Sequence, residues 1–339
     1  MRLVPAWLLL ALTATAAETP QGKLYPSRRC GECHGRQREE WQRSAHARAA
    51  SGAYVAALAS VPEGARAACA GCHVPLEGAG SRVAADGVGC DACHTATAAG
   101  DGGTALTLSP QLATRFGPYS DAKDHHFHRV SASTFVTGGG LCNACHEDLT
   151  RAALRTYTTV SEWRDVKGAK ACIDCHMPGF KAIAAKGEKE RPVSHHDFGP
   201  RADAVTMKVI AAKGALDVEL LNSGADHALP TGRPERRLLL EVAWLDAKGE
   251  KLSAEQRRFG RVLVDAAGKA APSFLAVKEA SDNRLLPKKP AKESFKPVAG
   301  AVKAWVRLWW EPFDPALAVS FDATSSAPRL MSERREALK

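Results

Sequence analysis

The 339-residue sequence predicts two unlike domains in tandem: mainly short helices and loops in the first half, then a small antiparallel β-sandwich. Three observations support this. All ten cysteines fall before residue 176, in five copies of Cys-x-x-Cys-His. Residues 18–199 are rich in Ala, Gly and His and short of aliphatic runs, too poor to close a core from their own side chains. Beyond residue 199, β-rich runs alternate with turn signals and no long helical stretch intervenes.

The five motifs are Cys30-x-x-Cys33-His34, Cys69-x-x-Cys72-His73, Cys90-x-x-Cys93-His94, Cys142-x-x-Cys145-His146 and Cys172-x-x-Cys175-His176. One Cys-x-x-Cys would also suit a zinc site or a redox dithiol. Zinc sites would need the motifs to pair off, which an odd number forbids, and disulfides leave the histidines without a role. The repeated pattern is that of c-type haem attachment, in which two thiols add to the porphyrin vinyl groups and the adjacent imidazole binds iron. Five covalently bound haem c groups are therefore expected, with His34, His73, His94, His146 and His176 as proximal iron ligands. The first domain becomes short helices and loops around stacked haems. Residues 18–199 leave about 36 residues for each, so the haem faces must form much of the core.

Taken in order, residues 1–17 read as a secretory signal peptide: Arg2, an apolar run over 3–12, then Ala14, Ala16 and Ala17. The run is too short to span a bilayer, and no other stretch approaches 18 apolar residues, so no integral membrane span is expected in the mature chain. Thiols and haem are joined outside the cytoplasm, which places the protein in the periplasm or at the cell surface of a bacterium or archaeon. Within the haem domain (18–199), each motif should lie on a short helix or turn, residues 36–50 are helix-compatible, and glycines at 100–103 and 138–140 are breakers. The motif spacings are irregular, which argues against a tandem repeat. Strands are expected at 205–210, 216–222, 237–246, 260–265 and 301–309, with turns at 247–249 and 267–268. The sandwich domain (200–325) should bury Trp244, Trp305, Trp309 and Trp310. The polar stretch 326–339 reads as a frayed tail or short helix.

The formal charge of +9 suggests a nucleic-acid partner until cofactors are counted. Each ferric haem adds about −1, and loss of the leader removes Arg2, leaving about +3 oxidised and about −2 reduced. The basic balance is mainly a counter-charge for propionates, and no nucleic acid is expected.

Twelve histidines are present, five of them in the motifs. A low-spin haem takes a second strong ligand, and His46, His125, His126, His128, His195, His196 and His227 are the candidates. Methionine is a poor competitor, since Met177 adjoins proximal His176 and only Met207 and Met331 follow it. In His125-His126-Phe127-His128, residues two apart share a side, so two of the three histidines could serve different haems and the third bond a propionate. One of His195 and His196 would be a ligand, the other or Asp197 orienting it or bonding a propionate. His227 is either a turn residue bonded locally or a ligand delivered by the β-domain.

Trp41-x-x-Ser44-x-His46-Ala47, Phe116-Gly117-Pro118-Tyr119, His128 ahead of Cys142, His176-Met177-Pro178, His196-x-Phe198 and His227-x-Leu-Pro-Thr-Gly232 together resemble secreted multihaem cytochromes of the cytochrome c554-like group. The resemblance covers most of the mature chain. It implies a haem-packing core related to those of hydroxylamine-oxidising and nitrite-reducing cytochromes, and a C-terminal β-domain. By position it favours His46, His128 and His196 as distal ligands. Asp226 stands where the pattern has a small residue before His227. Cys-x-x-Cys-Lys, used by resembling nitrite reductases at their catalytic haem, does not occur.

The expected function is electron transfer along a chain of mostly bis-His haems. The partners would be donor and acceptor cytochromes or quinol-linked membrane complexes. The alternative is an oxidoreductase with one open-coordination haem acting on a small nitrogen or sulfur compound. A third reading is a subunit of a surface cytochrome assembly. The first two differ by a single imidazole.

Overall fold

The computed structural model describes residues 23–61, 63–99, 106–147, 154–199, 202–318 and 327–338; the leader and the glycines at 100–103 lie outside them. In the first half, α1 (Ser27–Cys30) enters the first motif and α2 (Gly35–Arg43) leaves it. Helices α3 (Ala53–Ser60) and α4 (Glu63–His73) lead into and through the second motif, and α5 (Ser81–Ala84) precedes α6 (Cys90–His94), which is the third. Two short strand pairs follow: antiparallel β1 (Ala96–Ala99) with β2 (Leu106–Leu108), and parallel β3 (Thr114–Gly117) with β4 (Arg129–Ala132). Then α7 (Thr134–Thr137) gives way at Gly139, with φ at 82°, to α8 (Gly140–His146), which ends on the fourth motif. Helix α9 (Thr159–Arg164) precedes α10 (Cys172–His176), the fifth motif, and the antiparallel pair β5 (Gly179–Ile183) and β6 (Glu190–Ser194) ends this half. A helical turn suits the motif because residues i, i+3 and i+4 share one face.

The second half is two antiparallel sheets packed face to face. Strands β7 (Val205–Ala212), β8 (Ala215–Asn222) and β12 (Pro290–Phe295) form one sheet in the order β12-β8-β7. The other runs β11-β10-β9-β13-β14, from β9 (Arg237–Leu245), β10 (Lys251–Val264), β11 (Lys278–Asp282), β13 (Lys303–Glu311) and β14 (Arg329–Ala337). A one-turn helix, α11 (Pro315–Ala318), follows β13. The shared core holds Leu216, Val218, Leu220, Leu238, Leu240, Val242, Trp244, Phe295, Val306 and Leu308. Among the described residues the aliphatic and aromatic side chains buried before residue 200 number ten, against 24 after it. The first half thus draws little of its interior from side chains.

Two expectations need correction. The polar tail is strand β14, paired antiparallel with β13 from Lys303↔Ala337 to Trp310↔Arg329. Its charges are those of an edge strand with one solvated face, and only Met331 and Leu338 reach the core. Of the four tryptophans placed in the core, Trp244 is fully buried and Trp310, partly buried, packs against the core cluster. Trp305 and Trp309 project from the opposite face of β13, where Arg307 lies over both rings, at 4.1 and 5.3 Å. The reason is alternation: Ala304, Val306 and Leu308 take the inward positions.

Candidate haem sites

Each motif brings two thiols and an imidazole to one helical turn, and none of the ten thiols is in a disulfide. Thiols of different motifs lie near one another: Cys30 is close enough to Cys90, Cys142 to Cys172 and Cys145 to Cys72 for each to perturb the other's ionisation. Cys93 lies close enough to both Cys142 and Cys145 for its charge to act on them. The first motif therefore adjoins the third, the third adjoins the fourth, and the fourth meets both the second and the fifth. Donor set and surroundings fit haem c: unbonded thiols in pairs, an imidazole beside each pair, and a half-domain with a small aliphatic core.

Four histidines outside the motifs face motif histidines across a constant gap. The ring centres of His34 and His128 are 6.3 Å apart, those of His46 and His146 6.2 Å, His94 and His196 6.3 Å, and His176 and His227 6.2 Å. An imidazole nitrogen sits about 2 Å from a first-row metal ion and its ring centre roughly 1 Å beyond, so two imidazoles on one metal axis have centres about 6 Å apart. The four pairs show that spacing. Three are near parallel, with planes at 27°, 23° and 16°, whereas His46 and His146 cross at 72°.

The backbone fixes which ring nitrogen faces the gap. Nδ1 lies against a carbonyl oxygen in His34 (Ala184, 2.7 Å), His94 (Phe116, 2.6 Å), His128 (Arg129, 3.1 Å), His196 (Ser194, 2.8 Å) and His227 (Ala228, 2.9 Å). Nδ1–H then donates to that carbonyl and Nε2 keeps its lone pair, the tautomer a metal ligand requires. Burial holds His46 down at about 4, His146 at about 3 and His196 at about 4, so these rings are neutral throughout the ordinary pH range.

Long-range contacts aim the partners. Trp41 Nε1 donates to Val88 O at 2.8 Å and Val88 N to His46 O at 3.2 Å, binding the segment after α2 to the loop before α6. Buried Glu40 accepts from His196 N at 2.8 Å and faces His195 Nδ1 at 3.0 Å. Although burial opposes its charge, the bonds from His196 N, Arg36 and His195 hold the Glu40 carboxyl below its usual range. Phe198 stands edge-on between His46, at 4.4 Å, and His196, at 6.0 Å. The His227 turn is held from α9: Glu162 accepts from Ala228 N at 3.2 Å, Thr231 Oγ1 at 2.8 Å and Arg284 at 2.6 Å. Asp226, the unexpected residue of that turn, accepts from Lys170 N at 2.9 Å, just ahead of the fifth motif.

His73 is different. Its Nδ1 lies 2.9 Å from Ala49 O, as His34 and His94 lie against theirs, but among the described residues no histidine faces it. Tyr54 lies flat on its ring, 4.3 Å between centres with planes at 11°, beside the imidazole and off its Nε2 direction. The remaining candidates are engaged elsewhere. His125 and His126 are exposed and packed on each other at 3.9 Å with planes tilted by 41°, because the bond from His125 N to His128 O closes the turn and turns only His128 inward. The two-haem role expected of that cluster is thus reduced to one facing residue. His195 is stacked on Phe180 at 4.1 Å and bonded to Glu40.

Around His73 the sequence offered no signal for what is found. Tyr157 is half-buried, near enough to Glu235, Arg233, Arg236 and Cys72 for their charges to act on it. Arg233 lies over the Phe313 ring at 3.9 Å, and Phe313 packs with Phe274, Ala318 and Ala57, one turn of α3 beyond Tyr54. These residues come from both halves, a convergence that no local pattern announces.

Residues 29–95 match the family described as cytochrome c554 and c-prime. The fold is similar to that of a penta-haem cytochrome c552 from Thermochromatium tepidum, with a TM-score of 0.73 and 20% identity over 93% of this chain and 99% of that one. Likenesses to a hypothetical protein from Pyrococcus horikoshii OT3 and to a superoxide reductase each cover 40% of this chain. With TM-scores of 0.18 and 0.19 and identities of 10% and 12%, against 88% and 87% of those chains, they carry no argument. A comparison with curated proteins gives no match. The chain is thus similar to the cytochrome c554 and c-prime family over its first three motifs, and has the fold of a penta-haem cytochrome over nearly its whole length.

Proposed function

We propose that the protein is an extracytoplasmic electron-transfer cytochrome with five haem c groups, four of them held between two histidines. The observation that carries this reading is the set of four imidazole pairs at 6.2–6.3 Å. Haem at these motifs would supply one-electron iron chemistry with little change of structure. The chain's residues set the order of sites: first, third and fourth in line, with the second and fifth both meeting the fourth. Redox partner proteins, donor and acceptor cytochromes or quinol-linked complexes, would dock where a site nears the surface; His128, beside exposed His125–Phe127, marks one such edge. Among the described residues no helix is long and apolar enough to cross a membrane, and the leader supports export.

A second reading is favoured at one position. His73 has no facing histidine, so its iron would keep a face open to a small nitrogen or sulfur compound. Mass spectrometry of the mature chain should show five added haems, and EPR of the oxidised protein four low-spin signals with one high-spin. Fewer than four low-spin haems would remove the paired-histidine assignment; a wholly low-spin spectrum would remove the open site. His128→Ala should add one high-spin haem.

A further inference from the structure

The plane of an axial imidazole is set by what its second ring nitrogen and its ring atoms touch, since turning about a metal–nitrogen bond meets little resistance of its own. Three of the four facing histidines are pinned locally. His128 Nδ1 lies 3.1 Å from Arg129 O, His196 Nδ1 2.8 Å from Ser194 O and His227 Nδ1 2.9 Å from Ala228 O. Their pairs are the near-parallel ones, at 27°, 23° and 16°. His46 is the fourth, and its pair crosses at 72°. Among the described residues no backbone carbonyl lies against its Nδ1; its ring meets Phe198, 4.4 Å away with planes at 66°.

Phe198 reaches that place in an unfavourable backbone conformation. Its φ is 51°, and among the described residues only Phe198 and Lys288 combine a side chain with a positive φ. A bulky residue avoids this region because its Cβ crowds the following carbonyl, and it persists there only where surrounding contacts fix it. Two residues upstream, His196 N donates to Glu40 on α2 at 2.8 Å. The next residue of α2, Trp41, donates through Nε1 to Val88 O at 2.8 Å, and Val88 N donates to His46 O at 3.2 Å. Phe198 and His46 are thus both tied to α2. The phenyl ring also stands 6.0 Å from the His196 ring, with planes at 78°, so it lies between the facing histidines of the third and fourth sites. At 4.4 Å it is in contact with His46, in the tilted arrangement that aromatic pairs favour. His46 cannot turn about an iron bond without moving Phe198, whose backbone is itself held.

We propose that Phe198 is a positioning residue that keeps the His46 imidazole across the plane of His146, making the fourth haem electronically distinct from the third beside it. This rests on the paired-histidine reading above.

The test is EPR of the full-length oxidised holoprotein, in which iron between crossed imidazoles gives a strongly anisotropic low-spin signal. Phe198→Ala should remove about half or more of that signal and return the same spins as a low-spin signal like those of the near-parallel pairs. The near-parallel signals themselves should stay in place, that of His196 included, because its Nδ1 and its backbone N keep their own partners. Phe198→Tyr, which retains the ring, should retain the wild-type spectrum. An unchanged anisotropic signal in Phe198→Ala overturns the proposal and leaves the crossing to the backbone of His46. Replacement of that signal by high-spin iron also overturns it, since Phe198 would then retain the ligand and not orient it. A shift of all four low-spin signals together does the same, by making Phe198 a general packing residue. If Phe198→Ala does not mature with five haems, Phe198→Gly, for which a positive φ is unstrained, is read by the same criteria. A wild-type protein with fewer than four low-spin haems would instead sink the paired-histidine reading, whereas four low-spin haems with no strongly anisotropic one would overturn the proposal alone.

Discussion

In the proposed paired-histidine sites, the 72° crossing of His46 and His146 would give one pair an electronic character the others lack. When two axial imidazole planes lie nearly at right angles, the two π-type d orbitals of the iron are almost equal in energy and the orbital moment survives. Near-parallel planes, as in the other three pairs at 16–27°, split those orbitals. EPR of the oxidised protein should therefore show one low-spin signal of much larger anisotropy than the rest, and His46→Ala should abolish that signal alone. Gly87 supports the same geometry, since a Cβ there would lie 2.8 Å from His46 O, and its φ of 64° disfavours any other residue. Gly87→Ala is expected to cost about 1–2 kcal/mol in a denaturant titration and to broaden the anisotropic signal, because the backbone of His46 must shift.

The element that positions most is α9. Its Glu162 holds the His227 turn and receives Arg284, whose guanidinium also grips Asp282 on β11 through Nε at 2.9 Å. Glu162→Ala should lower stability by about 2–4 kcal/mol and produce a fraction of high-spin haem at the fifth motif, seen by EPR at neutral pH. Burial opposes the charge on Asp282, but the hydrogen bonds from Arg284 prevail and hold its carboxyl below 3.8, its ordinary value. Its contribution is then fully present above about pH 4 and is lost as pH falls through the depressed value. Asp282→Asn should flatten that acid limb of the stability curve, and an unchanged limb would show that another group carries it.

Which elements were legible in the sequence follows from where they sit. Strands β7, β8, β9 and β13 announced themselves because they bury a continuous face. The strands missed in the second half, β11, β12 and β14, are all sheet edges, and the first part of β10 has β9 as its one neighbour. Edges are charged to resist further pairing, so Glu255-Gln256-Arg257-Arg258 and Ser332-Glu333-Arg334-Arg335 look like loop or tail.

At the scale of the molecule, the ten cysteines and five motif histidines were readable because covalent attachment imposes a spacing. The facing histidines were readable only as a pool. Choosing His227 over His195 depended on Glu162 and Asp226, and choosing His128 over His125 depended on one turn bond. Tyr157 and Arg233 had no signal at all, because they become neighbours only when the two halves pack. That packing is built from Arg261, whose Nη1 and Nη2 donate to Thr156 O and Arg155 O at 2.8 Å each, and from Phe313 against Ala57. Severing the chain near residue 200 is therefore expected to leave the fifth motif without its facing histidine. Absorption spectra of the first half expressed alone should show two high-spin haems in place of one.

The pairing of histidines also sets an order of manufacture. A chain threaded outward from its first residue presents His34 and His94 roughly a hundred residues before their partners, whereas His146 arrives after His46 is already outside. Under the proposed export and paired-histidine ligation, maturation would pass through stages in which the earliest attached cofactors wait half-ligated, exposed to peroxide and other small oxidants, until later sequence emerges to cover them. His227 closes the series, so under the proposed export the fifth pair is the last to be completed.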